Sequence, residues 1–68
     1  MPDSKVEWAV RQVLSVSGLD VRTVQVRVHE QVVTLSGTAP LGQIEAIERT
    51  AAATSGVAGV QNRLEARR

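Results

Sequence analysis

Between Val24 and Gly37 the chain alternates twice with the two-residue period of a half-buried strand, and this constrains the fold more than any other feature. Val24, Val26 and Val28 alternate with Gln25, Arg27 and His29; after a short polar break, Val33, Leu35 and Gly37 alternate with Val32, Thr34 and Ser36. Two such strands this close in sequence are expected to pair antiparallel as a hairpin with one apolar face. The turn at Glu30-Gln31 contains no glycine. A two-residue turn needs positive φ at both central positions, so a longer or bulged loop is expected.

The apolar face needs a cover, and helical periodicity on either side supplies it. Ser4 followed by Glu7 has the spacing of a capping box, and Val6, Ala9, Val10, Val13 and Leu14 then share one stripe. Ser17-Gly18 stops this helix, with Gly18 suited to the left-handed conformation. Beyond the hairpin, Thr38 to Gly42 reads as a connector. Ile44, Ile47, Ala51 and Thr54 form one face of a second helix, on which Glu45 and Arg49 make an i,i+4 pair. Val60, Asn62, Leu64 and Ala66 then alternate with Gln61, Arg63, Glu65 and Arg67 as a third strand. The predicted spans are helices near 4–16 and 41–55 and strands near 22–29, 32–38 and 60–67.

Helix, strand, strand, helix, strand is the order of an α+β two-layer sandwich, with both helices on one face of a three-stranded mixed sheet. The right-handed crossover through the second helix makes strand three parallel to strand two. Val26, Leu35, Ile47 and Leu64 are expected to be buried together. Gly37 is read as a place where a helix approaches closely, and Asn62 as an inward amide in need of partners. The opposite sheet face is left open, carrying Gln25, Arg27, His29, Val32, Thr34, Ser36, Arg63, Glu65 and Arg67.

Sixty-eight residues make a single domain, near the lower limit for folding without staples, and the chain has no cysteine to provide any. A net charge of +1 argues against a nucleic-acid footprint. No apolar run has the length of a membrane span. A complete chain of this kind is expected in the cytoplasm, and one excised from a longer protein in the periplasm or envelope.

Val26-Arg-Val28, Val33-Thr-Leu35-Ser-Gly37 and Gly56-Val57-Ala-Gly-Val60-Gln-Asn62-Arg-Leu64 together resemble the strand and glycine motifs of the BON domain, named for bacterial osmotic-stress and nodulation proteins. The resemblance covers roughly residues 4–66, and Glu30-Gln31 departs from the Asp-Gly or Asn-Gly turn frequent in that family. It implies a non-catalytic module of bacterial envelope, stress-response, secretin-associated or channel-associated proteins. Such modules contact phospholipid surfaces or other proteins, and one branch is linked to potassium. Gly37, Gly56, Val57 and Asn62 match as fold determinants, and no ligand site carries over with them.

The residues themselves offer little chemistry. One histidine, no cysteine and no tyrosine leave no convergent reactive set, so an enzyme is not expected, and neither a cofactor nor a metal site is indicated. His29 reads as a solvated turn residue. Trp8 breaks the pattern: it falls about 200° round the helix from Val6, beside Arg11, Gln12 and Ser15. A lone indole on the wet side suits a membrane interface, a protein partner or a second copy of the chain, or else it folds over a neighbouring loop. Arg27, Arg63, Arg67 and Arg68 are expected on or near the open sheet face, with Glu65 among them. That face is either a solvated, mixed-charge surface or a weak attractor of anionic headgroups, at about 1 kcal/mol per arginine. The candidate contact residues are therefore Trp8, Arg11, Arg27, Arg63 and Arg67. The leading reading is contact with an anionic membrane surface or another protein, and the alternative is structural self-association through the Trp8 face or a strand edge.

Overall fold

The hairpin expected from the alternation forms, with its second strand at the centre of the sheet and its first at one edge. A computed structural model describes residues 2–67 and has the order α1 (Asp3–Ser15), β1 (Val24–His29), β2 (Val32–Pro40), α2 (Ile44–Ala52), β3 (Gly59–Asn62) and β4 (Glu65–Arg67). A single 3₁₀ turn, Leu41–Gln43, leads into α2. The fold is the expected α+β sandwich of two helices on a mixed sheet. The sheet has four strands instead of three, because the third predicted strand is split.

Pairing runs through β2. Val26 faces Leu35 and His29 faces Val32 in the antiparallel hairpin. On the other side of β2, β3 pairs in parallel (Val33 with Val60, Leu35 with Asn62), and β4 continues in parallel (Thr38 with Glu65, Pro40 with Arg67). Between β3 and β4 the register is unchanged and the Arg63 N–H still donates to the Leu35 carbonyl at 2.8 Å, while the Asn62 side-chain oxygen accepts the Leu64 N–H at 3.0 Å. The Asn62 amide donates to Glu48 Oε1 at 2.8 Å, so the inward amide has its partners.

Val6, Val10 and Leu14 of α1, Val26 of β1, Val33, Leu35 and Ala39 of β2, and Ile47 and Ala51 of α2 form the core. Val26, Leu35 and Ile47 are buried as expected, whereas Leu64 packs against this cluster only partly buried. Val13 corrects the predicted stripe. It is exposed, bordering an open groove whose other wall carries Thr50 of α2 and Ala53 and Thr54 just beyond its end, all small side chains.

Four further expectations change. Pro2 occupies the N-cap of α1 with no side-chain cap bond, so the Ser4–Glu7 capping box does not form. The hairpin turn has two residues, Glu30 at φ 49° and Gln31 at φ 67°, where a longer loop was expected. Thr38 to Pro40 are strand, not connector. Gly37 has no helix over it: its φ is 98°, and a Cβ there would run into the Thr23 carbonyl oxygen, the acceptor of the Thr38 N–H. Gly18, at φ 81°, takes the left-handed conformation expected after α1.

Candidate functional site

Burying Val6, Val10 and Leu14 against the sheet fixes the rotation of α1 and turns Trp8 away from it. Trp8 is 64 % exposed. Ser4, Lys5 and Ala9 line a shallow surface depression with it. Val13 and Val16, both exposed, continue the apolar surface along the same side of the helix. Next to it, Ala9 and Val13 join Thr50, Ala53 and Thr54 in a mostly apolar groove of about 590 Å³ between the two helices. The sequence signal for Lys5 and Val16 was present, since both lie between Trp8 and Ala9 on the helical wheel.

Arg11 sits on the other flank of α1. Its guanidinium donates to the Val26 carbonyl at 3.2 Å and lies 3.5 Å from Glu7. It borders a small groove of about 150 Å³ lined by Leu14, Val21, Val24 and Val26.

Arg27 and Arg63 occupy the opposite side of the molecule. Arg27 alternates with the buried Val26 and therefore points from the open sheet face. Arg63 follows Asn62 outward at the other edge, with Thr34 and Ser36 of β2 between the two arginines. Among the described residues neither takes part in an ion pair.

Arg67 is engaged. It donates to the Thr23 hydroxyl at 2.9 Å and to the Asp20 carboxylate. Asp20 also accepts from Arg22 Nε at 3.0 Å, and its own N–H donates to Gln43. The Arg22 hydrogen bond is the main reason the Asp20 carboxyl titrates at about 2. Arg67 thus ties the end of β4 to the segment before β1 instead of standing free. Arg68 lies outside the described residues.

The five candidate residues do not converge. Trp8 lies on the helical layer, Arg11 on its flank, Arg27 and Arg63 on the far sheet face, and Arg67 inside a polar cluster at one end. A planar surface that meets Trp8 cannot also meet Arg27 and Arg63. His29 is exposed, 3.8 Å from Glu30, and among the described residues no group of three or more His, Asp or Glu side chains is placed to hold a metal ion. No helix of the described residues is long and apolar enough to cross a membrane.

No curated protein matches the chain in sequence. The family model described as BON domain matches residues 2–68. The match extends over both helices and all four strands, including the paired glycine motifs on β2 and before β3. The chain belongs to the BON domain family.

Proposed function

We propose that this BON domain is a non-catalytic binding module that lays its helical layer on an anionic phospholipid surface, in a bacterial envelope or stress-response setting. The exposed Trp8 is the observation that carries the reading. An indole is costly to leave in water and is stabilised between headgroups and acyl chains. Lys5 beside it supplies a cation at headgroup level, and Val13 and Val16 extend the apolar contact. Arg27 and Arg63, on the far side, contribute at most through the long-range field.

Intrinsic Trp8 fluorescence tests this directly, since the chain has a single tryptophan. Vesicles containing phosphatidylglycerol should shift the emission to shorter wavelength, phosphatidylcholine vesicles should not, and added salt should weaken the effect. Lys5→Glu should reduce it, and Arg27→Glu should change it little. Absence of any shift with phosphatidylglycerol overturns the membrane reading. A shift that instead follows protein concentration without vesicles favours the alternative, a self-association module built on the same Trp8 face.

A further inference from the structure

Strand β1 is the longest uninterrupted edge of the sheet, because the other edge is broken between β3 and β4. Which of its backbone groups are free follows from the hairpin. The Val24 N–H donates to the Val21 carbonyl, and the Val26 carbonyl accepts from Arg11, so neither is used by β2. In an antiparallel ladder these groups alternate, so Val24, Val26 and Val28 all turn N–H and C=O towards the open edge. The Val26 N–H and both polar groups of Val28 are thereby offered to a further strand.

Immediately beside them lies the groove of about 150 Å³ between α1 and β1. Leu14, Val21, Val24 and Val26 make its wall apolar, and its size suits one aliphatic side chain. Arg11 stands at the rim with its side chain half exposed; its Nε faces the Glu7 carboxylate at 3.5 Å, while its Nη2 holds only a backbone carbonyl, a weaker acceptor for a guanidinium than a carboxylate. An unpaired edge, an apolar slot and a cation beside the same residue are the three parts needed to hold the end of an extended chain.

We infer that the α1–β1 groove binds the free C-terminus of an extended peptide that adds antiparallel to β1, places an aliphatic last side chain among Leu14, Val21, Val24 and Val26, and delivers its carboxylate to Arg11. The peptide backbone pairs with Val28. Arg11 exchanges the Val26 carbonyl for the carboxylate, and the Val26 N–H donates to it as well. In the empty state the same arginine covers part of the edge and so discourages indiscriminate strand pairing. This interface lies on the opposite flank of α1 from the α1–α2 groove and is independent of the membrane reading.

The probe is the peptide acetyl-Thr-Val-Thr-Val with a free carboxylate, titrated into the 15N-labelled protein alongside the same peptide as its C-terminal amide. The free acid should shift the Val26 and Val28 amide resonances and bind at least tenfold more tightly than the amide. In Arg11→Gln, acid and amide should bind within about threefold of each other. Equal binding of the two peptides to the unaltered protein overturns the proposal, as do shifts that leave Val26 and Val28 unmoved. Shifts at these amides that grow with protein concentration in the absence of peptide also overturn it, since a second copy then takes the edge.

Discussion

The Asp3 carboxylate lies against the N–H groups of Glu30 and Gln31, at 2.9 and 3.1 Å, across a gap of 27 and 28 residues in sequence. The first residue of α1 therefore serves the hairpin turn. These two bonds, the Glu30 one first, hold the Asp3 carboxyl below its ordinary range. They also explain how a two-residue turn forms without glycine: the carboxylate orders the N–H groups of two residues whose positive φ is otherwise unfavourable. Asp3→Asn should lower the melting temperature and speed hydrogen exchange at the Glu30 and Gln31 amides more than elsewhere. Uniform exchange across the hairpin would remove this role.

Relieving the turn itself should have the opposite effect. Gln31→Gly removes the Cβ penalty at φ 67° and should stabilise the domain by about 1 kcal/mol, read from chemical denaturation. Unchanged or reduced stability would mean that the turn carries no such strain.

Acid should loosen the molecule at both ends. The carboxyls of Asp3 and Asp20 are lowered by folding from an ordinary value of 3.8, Asp20 to about 2. Their stabilisation is fully present above the unfolded value and is lost as the pH falls through the folded one. Melting temperature should therefore decline between about pH 4 and pH 2. Asp20→Asn should flatten part of that decline, and an unaltered profile in this variant would count against the Asp20–Arg22–Arg67 cluster.

Two glycines should respond in contrasting ways. Gly37→Ala forces a side chain into the Thr23 carbonyl at a left-handed position and should cost at least about 2 kcal/mol. Gly59→Ala meets open space and should change stability by less than about 0.5 kcal/mol. Similar losses at both positions would contradict the close approach of the Thr23 carbonyl to Gly37.

Leu35, fully buried between the two helices' contributions and the hairpin partner Val26, tests the core. Leu35→Ala should cost about 2–5 kcal/mol, and a loss below about 1 kcal/mol would mean that the site collapses around the cavity.

Periodicity made the layers legible. Val26, Leu35 and Ile47 were assigned to the core from spacing alone, and the same wheel turned Trp8 outward. It failed at Val13, which belongs to the apolar stripe by spacing but borders the open groove beside Thr50 and Ala53. It could not register Asp3 at the turn or Arg67 on Asp20, because contacts 28 and 47 residues apart leave no trace in local spacing. Alternation likewise placed Arg27 and Arg63 on the open sheet face, where the structure has them, but it could not show that Arg67 is held by Thr23 and Asp20.

Asp3 meets the hairpin turn, beside the first residue of β2, while Arg67 pairs with Pro40, its last. The described chain thus enters at one end of a body 36 Å long and leaves near the other. Joining the two by circular permutation would require a linker of roughly ten extended residues at about 3.3 Å each. Placed between neighbours in a longer polypeptide, the fold would act as a spacer, and tension between its ends would shear β4 along β2 instead of unzipping the hairpin. Single-molecule extension of tandem copies should accordingly show the Arg67 cluster yielding before β1 does.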